Sequence, residues 1–309
     1  MRIFIELPTW LGDSVMVTPA IENLINYFND SEVVLIGSVA SVAALNNHPN
    51  VTKSYVLEKN YLNLYRTIKS FDEFDFFFSF RGSIRSTFIK FCISSKKKYQ
   101  FDKINYKKGH QVEKYNQFVN DSLNMTAIAS KLTIHKDKNK NKNNNRKLLG
   151  LNPGASYGSS KRWYPKKFAE VAFSLSNHYD IIIFGGPNEK DIAVDIEKYL
   201  IEKGVNNYIN LVAKTSIDEL INQIANLDLF ITGDSGPMHL AAAFQIPTVA
   251  IFGSTNDKET SQWMNENSMI VKKNLECQPC MSRECPLIHH NCMKLVHASD
   301  VLEAVKLLN

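Results

Sequence analysis

Nowhere in the 309 residues does an apolar run approach the roughly 18 residues of a membrane-spanning helix, so no transmembrane segment is expected. The opening stretch MRIFIELPTWLGDS meets Glu6 and Pro8 before an apolar signal segment can form, which points to a cytoplasmic protein. Charge of one sign is lacking too, with 36 Lys+Arg against 31 Asp+Glu and a net charge of +5. Charged residues at 22% and aromatics at 11% are ordinary, which excludes a disordered or collagen-like chain. No internal repeat is present, so a solenoid is excluded.

What is present is enough chain for two domains, each with its own core. The charge is unevenly divided between them. Residues 1–150 carry 22 Lys+Arg and 13 Asp+Glu, whereas the remainder carries 14 and 18. A basic half points to an anionic partner. The segment HKDKNKNKNNNRK, His135 to Lys147, has no apolar residue and supplies six of those cations. It reads as a solvated linker, which leaves the folded first domain only mildly basic.

Short apolar runs alternate with amphipathic stretches on both sides of that linker, the pattern of α/β domains with parallel sheets. In the first domain (1–147, linker included) strands are expected at Arg2–Leu7, Val33–Ile36 and Phe74–Phe80. Helices are expected at Ser14–Phe28, Val39–Asn46, Leu62–Ser70, Ser83–Phe91 and Gly109–Leu123. In the second domain (148–309) strands are expected at Leu148–Leu151, Ile181–Phe184, Tyr208–Leu211, Leu229–Thr232 and Thr248–Phe252. The last helix, Ser299–Leu308, either stays with that domain or packs back on the first. Two such domains make a cleft the expected binding site.

Ligands in these sheets bind at loops beyond strand C-termini. Three loops carry chemistry. In LPTWLGDS, Gly12 and Asp13 stand between the first strand and the first helix; Asp13 is either a helix cap or a general base. In LNPGASYGSSKRWYP, Gly154, Ser159 and Ser160 offer backbone and hydroxyl donors beside Lys161, a combination suited to a phosphate or diphosphate. That loop is neither a Walker loop nor a G-x-G-x-x-G turn. In TGDSGPMHLAAAF, the turn Asp234-Ser235-Gly236 opens a helix whose free N–H groups favour an anion, with His239 in its first turn.

Four of the five cysteines form a separate cluster, Cys277, Cys280, Cys285 and Cys292, spaced C-x2-C-x4-C-x6-C with His289 and His290 in the last gap. This segment (277–292) admits a structural zinc, reduced thiols or disulfides. Cys92, alone in an apolar stretch, reads as core.

The motifs LPTWLGDSVMVTPAI, LNPGASYGSSKRW, IIIFGGPNEKD and TGDSGPMHLAAAFQIPTVAIFG occur in order along the whole chain. Together they resemble the ADP-heptose:lipopolysaccharide heptosyltransferases. The tail CQPCMSRECPLIHHNCM is similar to the version in heptosyltransferase II rather than heptosyltransferase I. The resemblance implies two Rossmann-like domains of the GT-B glycosyltransferase architecture, acceptor-binding first and ADP-sugar-binding second. It implies an inverting transfer from ADP-L-glycero-D-manno-heptose to the inner-core heptose of Kdo2-lipid A, with Asp13 as general base and no cofactor required. Lys161 would stabilise the ADP leaving group. Gly12, Gly154, Ser159, Ser160, Asp234, Ser235, Gly236 and His239 would hold the donor. Arg81, Arg85 and Lys98 are the acceptor-side candidates, for an acceptor bearing carboxylates and phosphates. His110 and Glu113 also fit the family pattern. A lipid-anchored acceptor implies peripheral contact with the cytoplasmic face of the inner membrane. Other classes remain: a sugar-nucleotide 2-epimerase-like isomerase, or a zinc-dependent nucleic-acid-binding protein. Against the latter stand the acidic second half and the lack of aromatics interleaved with the cations, so no nucleic-acid partner is expected.

Overall fold

A computed structural model describes residues 1–136 and 146–308. Most of the expected linker therefore lies outside the described residues. The chain divides into two compact units, 1–136 and 137–309.

The first unit runs β1 (Arg2–Glu6), α1 (Leu11–Met16), α2 (Thr18–Phe28), β2 (Glu32–Gly37), α3 (Val39–Leu45), β3 (Val51–Val56), α4 (Tyr61–Lys69), β4 (Phe74–Ser79), α5 (Ile84–Cys92), β5 (Ser95–Gln100) and α6 (Gln111–Leu123). Its strands lie in the order β3-β2-β1-β4-β5, and the neighbouring pairs are parallel. Helices cover both faces, so β4 is apolar on each side. Phe77 stacks on Phe4, while Phe76 meets Phe28 and Phe78 meets Phe118. Cys92 is buried in this core, as expected.

The long helix expected from Ser14 to Phe28 is two helices. Pro19 has no N–H to offer the carbonyl of Val15, so the α-helical ladder breaks there. The Thr18 hydroxyl fills the vacancy, donating to the Val15 carbonyl at 2.8 Å.

The second unit runs β6 (Lys147–Asn152), α7 (Pro165–Leu175), β7 (Tyr179–Ile183), α8 (Lys190–Glu202), β8 (Tyr208–Asn210), α9 (Ile217–Ala225), β9 (Leu229–Gly233), α10 (Gly236–Ala243), β10 (Thr248–Ile251), α11 (Asp257–Thr260), β11 (Ser268–Val271), α12 (Asn291–Lys294) and α13 (Ala298–Leu307). Its order, β11-β10-β9-β6-β7-β8, is again parallel throughout the described pairs. Val301, Ala304 and Val305 of α13 are buried in the second unit's own core, against α7, β10 and β11.

In both sheets the order reverses beside the first strand, between β1 and β4 and between β6 and β9. Loops leaving those strand ends diverge to opposite faces and open a crevice, the place where such sheets bind ligands.

Candidate active site

At the first reversal point, the loop after β1 leads directly into α1. The N-cap of α1 is Trp10, which offers no side-chain cap, and Asp13 sits two residues into the helix. Its half-buried carboxylate is thus not the N-cap of that helix. Instead Tyr115 of α6 donates its hydroxyl to Asp13 Oδ1 at 3.3 Å. Burial first, and then the Asp13 carboxylate beside it, push the Tyr115 hydroxyl well above its ordinary value, so it stays a neutral donor. Tyr115 lies within the helix expected at Gly109–Leu123 and was not among the candidate site residues.

The end of β1 itself holds a second carboxylate that the sequence did not reveal, with partners from β4 and α5 across the reversal point. Glu6, fully buried at the end of β1, accepts from the Ser79 hydroxyl at 2.6 Å and the Ser86 hydroxyl at 2.8 Å. Arg81 Nη1 lies 3.5 Å from Glu6 Oε1. Burial pushes the Glu6 carboxyl up, and these donors only partly offset it. Arg81 is therefore held by an internal carboxylate. Arg85 donates to the carbonyls of Glu58 (2.9 Å) and Lys59 (2.8 Å) and lies over the Tyr61 ring. Lys98 stands within the edge strand β5, in register with Phe77, rather than in a loop beyond the strand end. His110 is the N-cap of α6 and forms a capping box with Glu113, whose Oε2 accepts from the His110 N–H at 2.7 Å.

At the second reversal point Lys161, Asp234 and the start of α10 come together. Asn152, ending β6, donates through Nδ2 towards the Gly154 carbonyl and the hydroxyls of Thr232 and Ser235, tying the β6 loop to the β9 loop. Lys161 Nζ reaches Asp234 Oδ2 at 2.6 Å and lies over the Tyr157 ring. The same Asp234 oxygen accepts from the Thr255 hydroxyl at 2.6 Å. This carboxylate is thereby committed to positioning Lys161; a direct contact with a diphosphate would set like charges together. The N-terminus of α10 follows immediately, with Ser235 as N-cap offering no side-chain cap and Pro237 at the second helical position. His239 is buried in the first turn of α10.

Two glycines are required by close approach. A Cβ on Gly154 would fall 2.1 Å from the Glu189 carboxyl carbon, and one on Gly158 would fall 2.1 Å from the Arg283 carbonyl oxygen. Ser159 is exposed. Ser160 is buried and spends its hydroxyl on Ser254 (2.9 Å) and the Ser282 carbonyl (2.5 Å). Its role is to seat the cysteine segment against the lysine loop rather than to face a ligand.

The cysteine segment closes around a small cavity lined by Cys277, Cys280, Cys285, Cys292, His289 and His290. All four thiols are free, so the disulfide reading gives way. Burial first, then the neighbouring sulfurs, raise the Cys292 thiol. The donor chemistry suits zinc, yet the sulfurs are not gathered as a tetrahedral site with Zn–S bonds of about 2.3 Å requires. Among the described residues, the set of three ligand atoms within 4.8 Å of one another is Glu22, His48 and His135 instead.

That triad is a clasp rather than a metal cage. The Asn50 N–H donates to His48 Nδ1 at 3.0 Å, so Nε2 of the neutral ring carries the proton and donates to Glu22 Oε1 at 3.2 Å. His135 Nε2 meets the same oxygen at 3.0 Å, fastening the end of the first unit to α2. Burial alone would raise the Glu22 carboxyl, but the hydrogen bonds from His48 and His135 outweigh it and hold the carboxyl below its ordinary 4.5. The stabilisation is therefore complete above pH 4.5 and is lost as pH falls through the depressed value. Glu22→Gln should cost about 1–3 kcal/mol near neutrality, and urea unfolding across pH should show the gap from the native chain closing below about pH 4.5.

A profile of glycosyltransferase family 9 (heptosyltransferase) matches residues 62–290. Lipooligosaccharide heptosyltransferase 2 of Campylobacter jejuni serotype O:2 is 43% identical, the alignment covering 99% of this chain and 98% of that protein. The same-named protein of C. jejuni serotype O:6 is 41% identical over 100% and 99%. Among solved structures, E. coli ADP-heptose LPS heptosyltransferase II superposes with a TM-score of 0.83 at 20% identity, covering 100% of this chain and 98% of that one. Whole-length similarity to relatives of one kind, on two parallel α/β units, sets aside the isomerase and nucleic-acid readings. The chain belongs to glycosyltransferase family 9, the heptosyltransferases.

Proposed function

We propose that the protein transfers heptose from ADP-heptose to the inner-core heptose of a Kdo2-lipid A acceptor, with inversion at the anomeric carbon. The observation that carries the donor assignment is the array at the β6/β9 reversal point. There Lys161 is fixed by Asp234, and the start of α10 lacks a side-chain cap from its N-cap residue. That array offers a cation, backbone N–H groups and a helix dipole to one anion, the diphosphate of a nucleotide sugar.

In the proposed reaction Asp13 takes the proton from the acceptor hydroxyl as its oxygen attacks the donor's anomeric carbon. The bond from that carbon to the diphosphate breaks, and ADP leaves with the electron pair. Lys161 and the α10 N-terminus stabilise the charge that develops on the leaving oxygen, the work a divalent cation performs in other transferases. Gly154 and Gly158 let the loop backbone pass close to its neighbours, and Ser235, Gly236 and His239 complete the donor side. Gly12, in the first turn of α1, stands beside the base. Arg81 and Arg85 are the acceptor-side cations this reading favours.

Incubation with ADP-heptose and mono-heptosylated Kdo2-lipid A should yield a glycolipid heavier by one heptose by mass spectrometry, with non-heptosylated Kdo2-lipid A left unchanged. Extension of the non-heptosylated acceptor alone would instead assign the chain to the first heptose.

A further inference from the structure

We propose that Arg283, in the cysteine segment, is the second cation of the donor site and takes the phosphate that carries the leaving oxygen. The proposal rests on the ADP-heptose reading and extends it to a residue outside the loops that frame the site.

The need for such a cation follows from charge. Lys161 Nζ is 2.6 Å from Asp234 Oδ2, so the pair as a whole is neutral. The start of α10 adds only the partial charges of its N–H groups. A diphosphate leaving with extra negative charge would meet oriented dipoles there, but no full positive charge free of a counter-ion.

The cysteine segment brings one. Arg283 lies between Cys280 and Cys285 in the chain. Its guanidinium is 5.5 Å from the centroid of the Tyr157 ring, and Lys161 Nζ is 4.7 Å from the same centroid. The two cations therefore lie no farther apart than those distances laid end to end. The Arg283 side chain is exposed, and among the described residues no carboxylate lies in ion-pair range of it. An aromatic ring gives a cation a surface to lie on without neutralising it, so this charge stays available to an anion.

The backbone that carries Arg283 is fastened to the lysine loop residue by residue. The Tyr157 hydroxyl donates to the Met281 carbonyl (2.5 Å) and the Ser160 hydroxyl to the Ser282 carbonyl (2.5 Å). The Ser160 N–H donates to the Arg283 carbonyl at 3.1 Å. A Cβ on Gly158 would fall 2.1 Å from that same carbonyl oxygen, so glycine is what lets the two segments come this close. From the other side, the Met281 N–H donates to the Ser254 carbonyl at 2.8 Å. Three consecutive residues are held by their backbone, while the guanidinium is left to solvent beside the leaving-group lysine. Its planar fork suits two oxygens of one phosphate. Because Lys161 is assigned to the leaving oxygen, its neighbour on the Tyr157 ring meets the same phosphate, the one distal to adenosine.

Isothermal titration of the whole chain with ADP and with AMP tests this without acceptor or turnover, since AMP lacks the distal phosphate. Arg283→Ala should weaken ADP binding by roughly 10–100-fold and leave AMP binding unchanged. Its melting temperature should match that of the native chain, because the side chain is exposed and the backbone bonds are kept. Arg283→Lys should recover part of the loss, retaining the charge but not the fork. Lys203→Ala removes another exposed cation that lies over a ring, that of Phe173, but at the C-cap of α8; it should leave both affinities unchanged. An unchanged ADP affinity in Arg283→Ala, an equal loss for ADP and AMP, or a rise confined to the KM for the glycolipid acceptor would overturn the proposal. Native ADP binding that survives Arg283→Ala removes Arg283 and keeps the donor reading. A native chain that binds neither nucleotide removes the donor reading and the proposal with it.

Discussion

Replacement of Asp13 by alanine should lower kcat by about 10²–10⁴ while leaving the affinity for ADP unchanged, because general-base assistance contributes on that scale and acts only in the transition state. Three structural facts make this a specific expectation. The carboxylate is half-buried, the N-cap of its helix is Trp10 rather than Asp13, and it is oriented by a Tyr115 hydroxyl that burial keeps neutral. Removing it should therefore leave α1 in place. Steady-state kinetics combined with ADP titration check the split. A matched loss of ADP affinity would place Asp13 in donor binding instead.

The second large effect concerns the Lys161–Asp234 pair. Both side chains are largely removed from water, with 12% and 5% of their side-chain area exposed. Removing one member of such a pair leaves an uncompensated buried charge, at a cost of about 3–5 kcal/mol. Asp234→Ala should destabilise the second unit on that scale. Lys161→Ala should add a fall of about 10²–10³ in kcat, because the leaving group loses its cation as well. The double substitution Lys161→Met with Asp234→Asn should cost less stability than either single change, since no buried charge is left over. A double-mutant cycle by denaturant unfolding reads this coupling directly. Additive losses would mean that the contact does not operate as a pair in solution.

The sequence was most informative where burial is two-sided. The runs FDFFFS and LFITG could only be central parallel strands, and they are β4 and β9. The failures were three of the four edge strands, β3, β5 and β11. Val51–Val56 (VTKSYV) is largely exposed and Ser95–Gln100 (SKKKYQ) carries three consecutive lysines of the kind that keep sheet edges from pairing, so both lack an apolar signature. Lys98, named as an acceptor-side candidate with no strand expected around it, lies in β5. Ser268–Val271, the other edge of the second sheet, was overlooked for a related reason, being only four residues long.

The candidate site divides along the same line. Residues within contiguous motifs, Asp13, Lys161 and Asp234, were legible because loop chemistry is local. Residues whose importance is a distance across the fold were not: Tyr115 reaches Asp13 from 102 positions away, and Ser86 reaches Glu6 from 80. Asn152 was visible within LNPG but gave no sign that it ties two loops together. The cysteine spacing permitted three chemistries, and only the arrangement of the thiols in space removes the disulfides.

The measurement that bears most directly on the account is ADP release by the purified chain, followed with ADP-heptose alone and with ADP-heptose plus mono-heptosylated Kdo2-lipid A. The account predicts release that depends on the acceptor and falls by about 10²–10⁴ in Asp13→Ala. Release independent of acceptor, or undiminished in that variant, would contradict it.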